Sequence, residues 1–151
     1  MAKQTVSIEV RTHGVEPTAA FSKIVDLASY SAHADVVKEI SVEVDDSGAQ
    51  LSHWSVWFRN GLLQWTERDV VDTSALTLEF EQVTGDLALF SGGWRVDPVA
   101  AQQVRIRFDA EIDLGIPSLA ELLDPLALRA LTTNTRKILE GLFGPDLEVV
   151  R

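Results

Sequence analysis

One change of hydrophobic period, near the C-terminal end, constrains what this chain can fold into more than any other feature. Over residues 104–114 apolar and polar residues alternate, which predicts a strand with one buried face. After residues 115–117, Gly-Ile-Pro, the apolar residues recur at helical spacing as far as Gly144, which predicts one long helix. The residues that share its apolar face are Leu131, Ile138 and Leu142. Such a helix needs an apolar surface, built by the preceding residues, to pack against.

Six earlier segments also have the pattern of strands, so seven strands precede this helix. They lie near residues 5–11, 36–44, 52–59, 62–71, 76–80 and 87–96. Asp45-Asp46-Ser47-Gly48 and Asn60-Gly61 are typical of hairpin turns, so consecutive strands should pair antiparallel. After the first strand, Pro17 and a helical spacing of apolar residues predict a short helix, followed by a second helical turn near Tyr30.

Together these segments predict an α+β fold in which residues 1–151 form a single domain. A sheet of seven antiparallel strands twists and curls, so the final helix should lie across its concave face. We expect a curved sheet wrapped around a long C-terminal helix, with two short helices after the first strand and an enclosed apolar cavity. Gly92-Gly93 falls within a strand and predicts a bulge or bend that deepens the cup. Ser118 and Glu121 have the spacing of a capping box at the start of the final helix, and Pro125 could kink or restart it.

The composition argues against several classes of function. The net charge of −10 disfavours nucleic-acid binding, which needs clustered Lys and Arg residues. The chain has no cysteine, and its three histidines lack neighbours at metal-ligand spacing, so we expect neither a metal nor another cofactor. No apolar run reaches transmembrane length and the N-terminus does not resemble a signal peptide, which predicts a cytoplasmic protein without stable membrane insertion.

Several segments carry a resemblance to a known superfamily over nearly the whole chain. They are Phe58-Arg59-Asn60-Gly61, Trp65-Thr66-Glu67-Arg68-Asp69, Phe80-Glu81-Gln82, Gly85-Asp86-Leu87, Phe90-Ser91-Gly92-Gly93-Trp94-Arg95-Val96 and Asp113-Leu114-Gly115-Ile116-Pro117. With the order of the elements, they make the chain similar to the helix-grip superfamily, which includes START lipid-transfer domains, Bet v 1, coenzyme Q-binding proteins and bacterial polyketide cyclases. Within it the chain most resembles the polyketide cyclase/dehydrase group.

The resemblance implies an apolar ligand cavity that Trp65 faces, with the aromatic side chain of Tyr30 at its mouth. In aromatase/cyclase relatives an arginine on the strand after the tryptophan polarises the substrate. Here Asp69 lies near that place, and Arg68 is one residue away and points to the other face. The chain therefore departs from an arginine-driven mechanism.

Two polar groups in the sequence are candidates for chemistry. Glu67 and Asp69 share a face with Trp65 by the period of a strand, so burial would raise the pKa of Glu67 and make it a general acid or base. The alternative is a solvated or arginine-paired charge. Asn134 and Thr135 border the apolar face of the final helix and could bind a ligand carbonyl, or instead bond within the helix. The aromatic residues expected to bind the ligand are Tyr30, Trp54, Trp65, Phe80, Phe90 and Trp94.

Three classes of function remain open. The first is an enzyme of polyketide-cyclase type, a lyase of polyketide biosynthesis that orients a poly-ketone and promotes its cyclisation and dehydration. The second is a non-catalytic carrier of a quinone, lipid or aromatic metabolite, and the third is a domain whose groove takes a peptide. The sequence favours the enzyme, because Glu67, Asp69 and Asn134 interrupt faces that could be wholly apolar. We expect a monomer or homodimer whose partner is a hydrophobic small molecule.

Overall fold

A computed structural model describes residues 4–47, 49–58, 61–113, 120–144 and 147–149. The strands are β1 (Gln4–His13), β2 (Val37–Val44), β3 (Gln50–Phe58), β4 (Gly61–Asp72), β5 (Thr77–Gly85), β6 (Leu89–Ala100), β7 (Gln103–Asp113) and β8 (Glu148–Val149). The helices are α1 (Pro17–Val25), α2 (Tyr30–His33) and α3 (Ala120–Phe143), with a 3₁₀ turn at Leu27–Ser29.

Some predicted features fall outside the described residues. They include Asn60 of the predicted hairpin turn and Ser118 of the predicted capping box. The strands beside that turn do pair with each other, Phe58 with Gly61. α3 continues as one helix through Pro125, so the helix does not restart there.

The described strands form one antiparallel sheet in the order β2-β3-β4-β5-β6-β7-β1-β8. β1 is far from β7 in sequence, yet the two pair from Gln4↔Ile112 to His13↔Gln103. This register sets the apolar residues of both strands on the same face, because each strand alternates with a period of two. The prediction of seven long antiparallel strands, two short helices after the first and a C-terminal helix is confirmed, and β8 adds two residues at one edge.

α3 covers the inner face of the sheet. Its residues Ile138, Leu139 and Leu142 are buried in the same apolar core as β1 and β7, and Leu131 is half-buried. Each fully buried side chain of this size stabilises the fold by about 1.5–3 kcal/mol. Within the described part of the chain, no helix is both long and apolar enough to cross a membrane.

Two glycines permit close approaches of the backbone. A Cβ at Gly92 would lie 2.1 Å from the carbonyl oxygen of Asp109 on β7. The pairing of β6 is regular across Gly92 and Gly93 on both sides, so the bulge predicted there is wrong, and glycine is required by crowding instead. A Cβ at Gly141 would lie 2.0 Å from the carbonyl oxygen of His33, so this glycine lets α3 dock on α2.

Candidate functional site

An apolar pocket lies between the inner face of the sheet and α3. The described residues that line it are Trp54, Val56, Leu63, Trp65, Glu67, Phe80, Leu87, Phe90, Trp94, Phe108, Ile112, Leu131, Asn134, Thr135 and Ile138. The space in it that the centre of a water molecule can occupy is about 70 Å³. Pockets for drug-sized ligands hold about 300–1,000 Å³, so this pocket is narrow as it stands.

Stacked aromatic rings form one wall of the pocket. Trp54 on β3 and Trp65 on β4 are directly opposite in the sheet, and their rings stack with centroids 5.4 Å apart and an angle of 10° between planes. Phe90 meets the Trp65 ring edge-on at 5.4 Å. The ring of Trp94 lies further along the wall, with its centroid 4.7 Å from that of Phe108. The wall therefore offers flat π surfaces close to the carboxyl group of Glu67.

Glu67 is the acidic residue among the described lining of the pocket. Its side chain is on the inner face of β4 with Leu63, Trp65 and Asp69, and only 2% of the residue is exposed. The indole Nε1 of Trp65 donates a hydrogen bond to Oε1 of Glu67 at 2.8 Å. Burial raises the pKa of Glu67 well above its usual value, the hydrogen bond and charge of Asp69 raise it further, and the Trp65 bond lowers it in part. Glu67 therefore holds a proton at pH values where an exposed glutamate has lost it.

Asp69 lies behind Glu67 and is not among the described residues that line the pocket. Its Oδ2 accepts hydrogen bonds from the Ser52 hydroxyl at 2.6 Å and from Nε2 of Gln50 at 3.2 Å. Ser52 in turn accepts a bond from Nε1 of Trp54 at 2.9 Å. Oδ1 of Asp69 is buried and has no hydrogen-bond partner in the described structure. Asp69 is thus anchored on one oxygen and open on the other.

No arginine or lysine of the described chain forms an ion pair with either carboxyl group. Arg68 lies between them in sequence, but it is exposed on the outer face of β4, across from Glu81. The alternative of a solvated or arginine-paired Glu67 is therefore wrong. Two buried carboxyl groups without a cation cannot both be ionised at low cost.

Tyr30 lies in the layer behind the aromatic wall. It is fully buried, it meets the Trp54 ring edge-on at 5.8 Å, and its hydroxyl donates a hydrogen bond to the carbonyl oxygen of Ile24. Burial raises the pKa of Tyr30 well above its usual value, and the negative charges of Glu67, Asp69 and Asp26 add to this effect. The position at the mouth of the cavity that the resemblance implied for Tyr30 is therefore wrong.

Asn134 and Thr135 bring the polar groups of α3 to the pocket. Thr135 is 3% exposed and lines the pocket opposite the sheet. Nδ2 of Asn134 donates a hydrogen bond to the main-chain oxygen of Trp57 at 3.0 Å, so Asn134 ties α3 to the end of β3. The Trp57 side chain is 48% exposed on the outer face of the sheet, opposite to the face that carries Trp54.

Ser52 is the functional candidate that the sequence analysis missed. It is fully buried and connects Trp54 to Asp69 through hydrogen bonds. Its signal in the sequence is parity, because a serine two residues before Trp54 shares the inner face of β3. No group of three or more His, Cys, Asp or Glu residues in the described structure could hold a metal ion.

Solved structures with the same fold include three that cover nearly the whole chain. The protein TTHA0849 of Thermus thermophilus matches with a TM-score of 0.84 and 22% identity, over 92% of this chain and 94% of that one. The Zhui aromatase/cyclase of a Streptomyces species matches with a TM-score of 0.79 and 16% identity, over 94% and 92% of the two chains. A START superfamily protein of Mycobacterium smegmatis matches with a TM-score of 0.77 and 12% identity, over 93% and 94%.

At such low identities the structural matches establish a common fold alone. The family follows from the sequence itself. Among proteins with curated functions, none matches this chain. The family model for polyketide cyclases/dehydrases and lipid transport matches residues 14–138. With that match over most of its length and the helix-grip architecture, the chain belongs to the polyketide cyclase/dehydrase and lipid transport family.

Proposed function

We propose that the protein binds a neutral, ring-forming ketone in its apolar pocket and promotes cyclisation and dehydration, as a lyase of polyketide-cyclase type. The observation that carries this proposal is a single one. A carboxyl group, Glu67, is held against stacked indole rings at 2% exposure, with no cation of the described chain beside it. Burial of such a group opposes folding, so a role in chemistry accounts for its presence better than a role in packing.

The pocket offers what ring closure of a ketone needs. The stacked rings of Trp54 and Trp65 would orient a flat intermediate, and orientation supplies much of the rate enhancement in reactions of this kind. Glu67 would move the protons of enolisation and dehydration. The Streptomyces neighbour is an aromatase/cyclase, which agrees with this proposal, while the 16% identity carries no residue roles across.

A polycyclic ligand needs more room than the resting pocket gives. A hydrogen bond from Asn134 to Trp57 joins α3 to β3 beside the pocket, so we infer that it breaks when α3 moves outward to admit the ligand. Hinge and shear movements of packed helices are common in proteins that close around ligands.

A carrier of a hydrophobic ligand is the second candidate function. It is favoured by one observation, because the described lining is almost wholly apolar apart from Glu67, Asn134 and Thr135. A carrier would hold its ligand by burial alone, and it would tolerate loss of the carboxyl group. The third class, a groove for a peptide, has no observation in its favour.

Tryptophan fluorescence tests the proposal in a Trp57→Phe background. This background removes the exposed tryptophan, so the remaining signal comes from Trp54, Trp65 and Trp94, which line the pocket. We expect saturable quenching by dihydroxyanthraquinone, and equal quenching after Glu67→Gln is added. Cyclisation of a synthetic poly-β-ketone thioester of N-acetylcysteamine should occur with the first protein and disappear with the second.

The other outcomes are equally definite. Quenching in both proteins, without cyclisation in either, would support the carrier and reject the enzyme. A folded, monodisperse protein that binds neither the anthraquinone nor the thioester would reject both candidates.

A further inference from the structure

We propose that Glu67 and Asp69 work as one base that holds a single proton between them. Glu67 is the catalytic residue that touches the ligand, while Asp69 and Ser52 are positioning residues behind it. The chemical step rests on the proposed ketone chemistry, whereas the shared proton can be tested without any ligand.

One carboxyl oxygen of Asp69 has an unused capacity to accept a hydrogen bond. Its Oδ1 is buried without a hydrogen-bond partner in the described structure, and the residue is only 4% exposed. A buried polar atom of this kind is rare and destabilises the fold if it stays unpaired. Glu67 is two residues away on the same buried face of β4, and hydrogen bonding to Asp69 is one of the causes that raise its pKa. A proton on Glu67 is the donor that this oxygen lacks.

The two carboxyl groups receive different numbers of hydrogen bonds. Asp69 receives hydrogen bonds from both Ser52 and Gln50, so it is the better holder of a negative charge. Glu67 receives one, from the indole of Trp65. Two interacting carboxyl groups take up protons as a pair, and the charge stays on the member that receives more hydrogen bonds. The proton therefore resides on Glu67 and points to Asp69.

Among the side chains that the structure describes, few others could titrate with the pair. From α2, Tyr30 is the titratable group that both carboxyl groups influence, and its raised pKa keeps its hydroxyl protonated. The residues that face the pair from β3 are the neutral Gln50, Ser52 and Trp54. From β5 the neighbours across the strand are the neutral Phe80 and Gln82, and the polar groups that α3 brings to the pocket are the neutral Asn134 and Thr135.

The charge of the pair decides the direction of proton transfer. If Glu67 gave its proton to a ligand, two adjacent buried carboxylates would remain, which is costly. If Glu67 accepts a proton while the shared proton passes to Asp69, the pair changes from one negative charge to none. Burial favours this second direction, so the pair starts the reaction as a base.

The step balances for a ketone with an α C–H bond. The C–H bond breaks, its proton forms an O–H bond on Glu67, and the shared proton completes its transfer to Asp69. The electron pair of the C–H bond forms the C=C bond of an enolate, whose oxygen carries the charge. After the enolate carbon attacks a second carbonyl of the same chain, the new alkoxide takes a proton back from Glu67 and the pair returns to its starting state.

Titration of the free protein tests the shared proton. We would follow the isotope-labelled carboxyl groups by NMR and infrared spectroscopy in the wild type, Asp69→Asn, and the control Glu79→Gln, whose carboxyl group is exposed on β5. Glu67 should show a protonated carboxyl signal near neutral pH in the wild type and the control. In Asp69→Asn its titration should move to lower pH by about one unit or more, because the neighbouring charge is gone.

Ser52→Ala gives a second test that does not depend on Asp69→Asn folding. Removing the hydroxyl weakens the support of Asp69, so part of the protonated signal should transfer from Glu67 to Asp69. An ionised Glu67 near neutral pH in the wild type would overturn the proposal, and so would a titration of Glu67 that neither variant moves. Dihydroxyanthraquinone binding would still stand after either result, which separates this proposal from the proposed function.

The base role has its own readout with α-tetralone as the probe. We expect saturable exchange of its α protons in heavy water, lost in Glu67→Gln. Asp69→Asn should lower kcat with little change in KM and should move the pH profile of exchange to lower pH, as the titration of Glu67 does. A purely structural role for Asp69 would leave the position of that profile unchanged, and exchange that survives in Glu67→Gln would overturn the base.

Discussion

β7 and β4 are interior strands of one sheet, yet their inner faces are built differently. The inner face of β7 is wholly apolar, and no residue of it is more than 4% exposed: Val104, Ile106, Phe108, Ala110 and Ile112. The inner face of β4 carries Glu67 and Asp69 at 2% and 4% exposure, so its carboxyl groups are as deeply buried as those apolar residues. The two inner faces are equally buried, but β7 stabilises the fold by apolar burial, whereas β4 carries the polar groups of the candidate site.

The largest effect should come from β7. Ile106 is fully buried, so Ile106→Ala should lower the free energy of unfolding by about 2–5 kcal/mol through lost burial and the cavity that remains. Urea denaturation measures this change. The control is Val99→Ala, at a residue 41% exposed, which should stay within about 0.5 kcal/mol of the wild type. Similar losses in both variants would contradict the assignment of β7 to the core.

In β4, unlike in β7, a buried side chain should lower the stability of the fold. This effect of the Glu67 carboxyl group should depend on pH. The pKa of Glu67 is raised in the folded protein well above the usual value of 4.5, so the folded state binds more protons than the unfolded state above that pH. The stability of the wild type should therefore fall as pH rises from about 4.5 through the folded pKa, by at most about 1.4 kcal/mol per pH unit for one proton.

Glu67→Gln removes this dependence while it keeps the shape of the side chain and an acceptor for Trp65. The stability difference between variant and wild type should move in favour of the variant as pH rises across that range. Denaturation at a series of pH values measures the difference, and it cancels the contribution of the other acidic groups. A constant difference would mean that Glu67 is ionised in the folded protein, and the contrast with β7 would disappear.

The two strands also differ in how much of them the sequence could predict. The alternation of β7 is unbroken, so the burial of its residues follows from period alone, as the structure confirms. Parity also placed Trp65, Glu67 and Asp69 on one face of β4. It could not predict which of the two acids meets the pocket, because that depends on the position of α3 and on hydrogen bonds from β3.

Long-range contacts explain the other differences. The Ser52 hydroxyl donates a hydrogen bond to Asp69, which is 17 positions away in sequence. Local periodicity contains no information on that bond. Tyr30 was placed at the cavity mouth, yet its hydroxyl reaches Ile24 on α1 and its ring lies behind Trp54. Gly92-Gly93 predicts a bulge or bend, because the sequence does not show that the β7 backbone passes 2.1 Å from where a Cβ of Gly92 would lie. Sequence thus predicts the sheet well and the neighbours of its polar residues poorly.

A smaller effect on stability should follow from loss of the hydrogen bond between Trp65 and Glu67, both on β4. Trp65→Phe keeps an aromatic ring against Trp54 but removes the N–H that bonds Glu67, at a cost of about 1 kcal/mol. Because that hydrogen bond lowers the pKa of Glu67, the titration of Glu67 should move to higher pH in the variant. Trp94→Phe is the matched control, since Trp94 also lines the pocket but packs against Phe108. If both variants shift the titration of Glu67 equally, the effect belongs to general packing.

The smallest effect on stability should come from α3, which covers both strands. Asn134→Ala loses the hydrogen bond to the Trp57 carbonyl, and should lower the free energy of unfolding by about 0.5–1.5 kcal/mol. The kinetics of binding should change more, because that bond must break before α3 can move away from β3. Stopped-flow fluorescence with dihydroxyanthraquinone should therefore show faster association and faster dissociation than in Thr133→Ala, an exposed neighbour on the same helix. Unchanged rates in Asn134→Ala would mean that the ligand enters without separating α3 from β3, and that the narrow pocket widens on its β4 side instead.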